Sequence, residues 1–269
     1  MRAIILAAGE GLRLRPYTQD RPKCLVELAG EPLLTHQIAA LGAVGIDDVC
    51  VVTGYRAKAV AALGFQTRDN PAYAATSMVA SLMCAADLLD GGSDVIIAYG
   101  DIVYEARVLR ALAESPAPIS TTVDRSWLKL WRLRMEDPLT DAETLRLCTN
   151  GDIIEIGGRP ASYAEIEGQY MGLTKVRADF AAELPRLYRD TTADQSRGGR
   201  GRADIHMTAF LSKMIERRIP VRAVSVDGGW LEVDSASDLE IYRRLYAEGG
   251  LEDYCRLIPK RRVRPCSLR

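Results

Sequence analysis

The stretch GEGLRLRPYTQDRPK carries Gly9, Gly11, Arg13 and Lys23 directly after the apolar run AIILAA. Glycines that leave a buried strand and lead into basic side chains are the layout of a phosphate site at the carboxyl edge of a parallel sheet. Successive backbone N–H groups of such a turn cradle phosphate oxygens. Behind it, Leu6, Ala7 and Ala8 close the apolar run. The small residues Ala7, Ala8 and Gly9 let the backbone come close to a ligand. Arg13 presents a planar fork to a phosphate. Lys23 is a point charge for a phosphate, and Pro16 and Pro22 stiffen the loop between the two cations. Arg15 and Arg21 read as solvated. The dinucleotide fingerprint and the P-loop both need a glycine where Leu14 stands, so neither applies. For the G-x-G alone, a tight turn with exposed arginines is the competing reading.

The elements that must hold this loop follow from the pattern of apolar residues. AIILAAG, VCVVTG, VIIAYGD and ISTTVD read as strands, and EPLLTHQIAALGAVG, SMVASLMCAADLLDGG and ARVLRALAES read as helices between them. Short apolar strands separated by helices indicate βαβ units with helices on both faces of the sheet. TLRLCTNGDIIEIGG reads as two strands joined at Asn150-Gly151. QYMGLTKV reads as a further strand and VRAVSVDGGWLEVD as a strand and its turn. DFAAELPRLYRD, ADIHMTAFLSKMIERR and SASDLEIYRRLYAEGG read as helices, the last with a serine at its start. The polar, glycine-rich DTTADQSRGGRGR, which contains the Ser196–Arg202 segment, reads as a loop, and the tail PKRRVRPCSLR as a solvated basic end. The fold class is α/β: a Rossmann-like, mixed but mostly parallel sheet with helices on both faces. No internal repeat and no hexapeptide array for a β-helix is present.

Bulk properties limit the function classes. At 269 residues the chain is one large domain or a domain with a small lobe. The formal net charge of −1 supplies no general attraction to nucleic acid or anionic lipid. The six cysteines form no C-x-x-C pair and only two histidines are present, so a zinc site is not expected. Scattered cysteines on apolar segments and no signal-like or membrane-spanning run point to a cytoplasmic protein.

The opening stretch resembles the signature G-x-G-x-R-L-x-P-x-T-x-x-x-P-K of the sugar-1-phosphate and phosphocholine nucleotidyltransferases. Gly9, Gly11, Arg13, Leu14, Pro16, Thr18, Pro22 and Lys23 occupy its fixed positions. The resemblance implies one nucleotidyltransferase domain: a nucleotide-binding half over about residues 1–125, an acceptor-binding half over about 126–250, and the tail 251–269. It implies an in-line attack by an acceptor phosphate (or phosphonate) oxygen on the α-phosphorus of a nucleoside triphosphate, with release of pyrophosphate. Arg13 and Lys23 would be the catalytic cations, with no covalent intermediate and no general base. The nucleotide would lie on Leu6, Ala7, Ala8, Gly9, Gly11 and Tyr99.

Such chemistry uses a divalent cation, and the resemblance implies Mg2+ held by Asp101, after the strand VIIAY, and by Asp234 of the WLEVD segment. A strand-end cap for Asp101 and a helix N-cap region for Asp234 are the competing readings. Glu232 is two residues from Asp234, on the same face of an extended segment, and fits an acceptor contact equally well. DNPAYAATSMVASLMCA and the region from DRSWLKLWRLRM to QYMGLTKV are similar to cytidylyltransferases that act on small phosphorylated metabolites, of phosphocholine and phosphoglutamine type. That branch commonly has asparagine where Ser77 stands; Thr76 and Ser77 can still hydrogen-bond a base. CTP and a small phosphorylated metabolite are thus the expected partners, with phosphocholine, phosphoglutamine or an aminoalkylphosphonate as acceptor. A sugar-1-phosphate uridylyl- or thymidylyltransferase is the alternative, and a non-catalytic nucleotide sensor the remote one. Tyr104, Trp127, Trp131, Tyr170 and Trp230 are candidate walls for a quaternary ammonium, and Arg134 and Gln169 candidate contacts for a carboxylate or amide. Trp127 and Trp131, four apart, read equally well as one apolar helical stripe.

Overall fold

In the first strand Ala3 and Ile5 point to one side and Ile4 and Leu6 to the other, and all four are buried. A strand apolar on both faces belongs in the middle of a sheet covered by helices on both sides. The computed structural model of the protein, which describes residues 1–197 and 205–258, places it there. Residues 198–204, which include the end of the glycine-rich segment, and the basic tail from residue 259 onward lie outside the described residues.

The first half runs β1 (Arg2–Leu6), β2 (Glu27–Leu28), β3 (Glu31–Pro32), α1 (Leu33–Gly42), β4 (Asp48–Thr53), α2 (Ala57–Ala61), β5 (Gln66–Asp69), α3 (Met78–Met83), β6 (Val95–Tyr99), β7 (Ile102–Tyr104), α4 (Ala106–Glu114), β8 (Ile119–Asp124) and α5 (Trp127–Arg134). The second half adds β9 (Leu145–Leu147), β10 (Ile153–Ile156), β11 (Gln169–Val176), α6 (Ala178–Ala181), α7 (Leu184–Arg197), α8 (Met207–Glu216), β12 (Val221–Val226), β13 (Trp230–Glu232) and α9 (Ala236–Ala247). The central sheet has the order β12-β8-β11-β6-β1-β4-β5. Only β11 runs antiparallel to its neighbours; the other pairings are parallel. One core, with Ala3 and Ile5, packs under α1, α4, α5 and α9. The other, with Ile4 and Leu6, packs under α3, α7 and α8.

Three elements differ from the sequence pattern. The expected helix from Ser77 to Gly92 is α3 followed by a 3-10 turn at Ala86–Leu88. The expected helix from Asp179 is broken into α6 and α7, and α7 continues to Arg197, so Asp190–Arg197 is helical rather than loop. In β11 the register shifts between Tyr170 and Thr174. There Gly172 has φ +75°, and a Cβ would lie 2.8 Å from the Tyr99 ring. The bulge makes room for Tyr99, whose ring meets Tyr170 edge-on at 5.7 Å.

One small ladder matters most for function. β13 pairs antiparallel with β7, Glu232 opposite Ile102 and Trp230 opposite Tyr104. The Val233 N–H donates to the Asp101 carbonyl at 2.9 Å. Two aspartates far apart in sequence are thereby fixed side by side at the end of β6. Ser235 caps α9 in a reciprocal capping box with Asp238. No helix among the described residues is long and apolar enough to cross a membrane.

Candidate active site

The glycine-rich loop is anchored from below by its apolar and hydroxyl residues. Leu14 and Thr18 are fully buried. The Thr18 hydroxyl donates to the Gly11 carbonyl at 2.8 Å. Gly11 is left-handed, φ +64°, and a Cβ on it would meet Lys23 Cβ at 3.1 Å. Nothing lies within 4 Å of a Cβ built on Gly9, so the backbone there is bare toward the cleft. Gly11→Ala combines a left-handed conformation with crowding of Lys23. It should cost about 1–2 kcal/mol of stability and lower turnover, measured by thermal melting and by steady-state kinetics. Wild-type values on both would contradict this account of the loop.

Lys23 leaves the short turn that follows Pro22 and points into the space between the two aspartates. Its Nζ is 2.7 Å from Asp101 Oδ2 and 2.8 Å from Asp234 Oδ1. Arg13 Nη1 lies 2.6 Å from Asp234 Oδ2. Burial disfavours the Lys23 ammonium, but the two carboxylates outweigh it and leave its pKa above the ordinary lysine value. Burial pushes the Asp234 carboxyl up, and Lys23 with Arg13 brings it below the usual range. Asp101 Oδ1 is buried and has no hydrogen-bond partner among the described residues. A carboxylate oxygen left bare beside a second carboxylate suits a hard divalent cation. The residues present therefore fit such an ion, with Asp101 and Asp234 to hold it.

Two adjoining cavities open on this cluster. The larger, about 450 Å³, is lined by Leu6, Ala7, Gly9, Gly11, Leu12, Arg13, Lys23, Cys24, Met78, Tyr99, Gly100, Asp101 and Asp234. The smaller, about 190 Å³, is lined by Trp131, Asp141, Glu143, Gln169, Tyr170, Gly172, His206, Thr208 and Glu232. Arg13, Met78, Tyr99 and Asp234 line both. Burial, reinforced by Asp101 and Asp234 and opposed by Arg134, pushes the Glu232 carboxyl up to about 7. Burial also raises Glu143, against a hydrogen bond from Thr208. The Gln169 side chain holds Glu143 by its backbone, accepting from its N–H and donating to its carbonyl.

Several candidate residues lie elsewhere. Ala8 turns its carbonyl to the Tyr55 N–H. The Thr76 hydroxyl is taken up by Asn70 and the Ala72 carbonyl, and Ser77 donates to the Ile205 carbonyl; none of the three lines either cavity. Tyr104 is buried in the core. Trp127 stacks edge-on with Trp131 at 5.8 Å, the two forming the apolar stripe. Of that pair Trp131 reaches the smaller cavity, its Nε1 donating to Asp141 at 3.1 Å. Trp230 donates to Asp124 and lines a separate cavity behind β13.

Arg134, a candidate acceptor contact, lines neither cavity. Its side chain is fully buried, paired with Asp238 at 3.1 Å and Glu232 at 2.8 Å. Asp238 in turn accepts the backbone N–H of Asp234 at 3.0 Å. Arg134 thus positions both acidic residues of β13 and its turn. Arg15 pairs with Glu10, and Arg21 with Asp20, at the surface. Trp131 reads from the sequence as a candidate pocket wall or part of an apolar stripe, whereas Met78, Asp141, Glu143, His206 and Thr208 carry no motif.

This arrangement defines a nucleotidyltransferase: bare glycine loop, paired cations, and two aspartates at the carboxyl edge of a parallel sheet. The chain belongs to the family of the MobA-like NTP transferase domain, whose model matches residues 3–195. It is 39% identical over 251 residues to the CTP:phosphoglutamine cytidylyltransferase of Campylobacter jejuni, covering 90% of this chain and 98% of that protein. It is 35% identical over 133 residues to the CMP-5'-(3-aminopropyl)phosphonate synthase of Streptomyces rubellomurinus, covering 46% of this chain and 21% of that protein. The fold is shared with the CTP:phosphocholine cytidylyltransferase of Streptococcus pneumoniae, at TM-score 0.66 and 20% identity over 91% of this chain and 98% of that one. It is shared equally with the inositol-1-phosphate CTP transferase of T. maritima, at TM-score 0.67 and 19% identity over 95% of this chain and 97% of that one.

Proposed function

We propose that the protein transfers CMP from CTP to a small phosphate- or phosphonate-bearing acceptor with a cationic nitrogen, phosphoglutamine first among them, and releases pyrophosphate. The observation that carries this is the junction of the two cavities at Arg13 and Asp234, beside Lys23. A triphosphate in the larger cavity and an acceptor in the smaller one meet beside the paired cations. Arg13 and Lys23 stabilise charge on the α-phosphoryl group and on departing pyrophosphate, so catalysis is positioning plus electrostatics. The acceptor oxygen is already anionic and needs no base. Asp101 and Asp234 would hold magnesium, which when bound neutralises the phosphate charge.

The acceptor class follows from the smaller cavity. Asp141, Glu143 and Glu232 line it, with the aromatic faces of Trp131, Tyr99 and Tyr170. Three carboxyl groups beside aromatic rings suit an ammonium group. The α-ammonium of phosphoglutamine, the choline head and an aminoalkyl chain all supply one; a sugar phosphate of glucose type does not. The 39% identity to the Campylobacter enzyme along nearly its whole length favours the first of these.

One chain-long domain fits this reading, the nucleotide on residues up to about 125 and the acceptor on those from about 126. A cytoplasmic setting also fits, since both substrates are soluble metabolites and the cysteines among the described residues are free. The test is a panel of phosphoglutamine, phosphocholine, 2-aminoethylphosphonate, glycerol phosphate and glucose-1-phosphate with CTP and magnesium, read as pyrophosphate release. The reading expects turnover with the cationic acceptors. Preference for glucose-1-phosphate would defeat it. Glu143→Gln should raise KM for the preferred cationic acceptor about tenfold or more with little change in kcat; an unchanged KM would remove Glu143 from acceptor binding.

A further inference from the structure

We infer that Lys23 is a built-in stand-in for the divalent cation, and that metal and nucleotide bind together by exchanging partners with it. This rests on the reading of Asp101 and Asp234 as the metal ligands. The ammonium lies midway between carboxylates of two different elements, 2.7 Å from one and 2.8 Å from the other. Arg13 takes the remaining Asp234 oxygen, while Asp101 Oδ1 is buried with no partner among the described residues. Two carboxylates and two cations cancel, so a divalent ion arriving alone meets a neutral cluster whose inner space holds an ammonium.

The same lysine cannot serve a phosphoryl group while it bridges both aspartates. Its freedom to do so comes when another cation takes its place. A triphosphate offers Lys23 and Arg13 new anionic partners, and their departure bares Asp101 and Asp234. Each ligand therefore removes the obstacle to the other, and the coupling is reciprocal by linkage. In the absence of either, the cluster is closed by ion pairs that leave Asp101 Oδ1 without a partner among the described residues.

The exchange is tested with Mn2+ alone, without nucleotide, by electron paramagnetic resonance titration and by the Mn2+-induced rise in melting temperature. Removing the stand-in by Lys23→Met should tighten Mn2+ binding at least about tenfold. Arg13→Met removes an equal charge but leaves the ammonium in place, and should tighten it by less than about fivefold. Lys23→Met/Asp101→Asn should return affinity to the wild-type level or below. Lys23→Gln is measured in parallel, so that a folding defect of the methionine variant does not decide the result. Equal tightening by Lys23→Met and Arg13→Met would reduce the effect to net charge and overturn the exchange. Equal or weaker binding by both Lys23 variants would overturn it while leaving the metal site standing. Failure of every variant to bind Mn2+, with Asp101→Asn no different, would take the metal ligands away as well.

Discussion

Lys23→Ala lowers kcat by roughly 10²–10³-fold or more, the cost of deleting one preorganised donor to transition-state charge. The side chain is largely enclosed, its Nζ within 2.8 Å of both Asp101 and Asp234, so no solvent cation replaces it at full strength. Loss of an interaction made mainly in the transition state lowers kcat and kcat/KM together. Lys23→Arg restores charge but not shape, because a wider planar fork does not put one nitrogen at 2.7 and 2.8 Å from the two carboxylates. Single-turnover formation of the CMP–acceptor anhydride separates this loss from slower product release. A variant with near-normal turnover would remove Lys23 from the chemistry.

Arg134→Met is the second large effect, and it falls first on stability. The guanidinium is fully enclosed between Asp238 and Glu232, and Asp238 is itself buried. Burial works against the guanidinium's charge, but Glu232 and Asp238 hold its pKa above the ordinary arginine value. Removing one member of a buried pair leaves an uncompensated carboxylate, at a cost of about 3–5 kcal/mol. At about 2–4 °C per kcal/mol for a chain near this size, melting should fall by roughly 6–20 °C. Arg134→Met/Asp238→Leu removes the stranded charge and should recover part of it. Activity should not recover in the double variant, since the Asp238 carboxylate also accepts the Asp234 and Ser235 N–H groups at the start of α9. A melting point within a degree or two of wild type would contradict the positioning role.

These two residues show what could and could not be read from the chain. Lys23 sits in a run whose fixed positions turn out to divide the labour: Leu14 and Thr18 anchor the loop, Gly11 makes the turn, Arg13 and Lys23 face the cleft. Strand and helix patterns for most of the sheet were equally legible, because β1, β4 and β6 are apolar on both faces. Asp101 could be located because it follows β6 directly.

The rest depends on pairings between distant segments. Arg134 meets Asp238 across more than a hundred residues, and nothing local marks either as buried. The side of a helix on which an aromatic works is equally hidden: Trp131 reaches the cavity while Trp127 stays behind it. Composition cannot show that Ser77 spends its hydroxyl on the Ile205 carbonyl. The acidic wall of Asp141 and Glu143 comes from a 3-10 turn and a loop before β9, where spacing carries no period to detect.

We expect CMP transfer from CTP to the phosphate oxygen of a cationic small acceptor. The direct measurement is a mass balance with purified protein, CTP, magnesium and phosphoglutamine, repeated with UTP and dTTP. The account predicts one pyrophosphate and one CMP-phosphoglutamine formed per CTP consumed, with UTP and dTTP far slower. Faster transfer from UTP or dTTP, or release of inorganic phosphate with no CMP-phosphoglutamine, would contradict it.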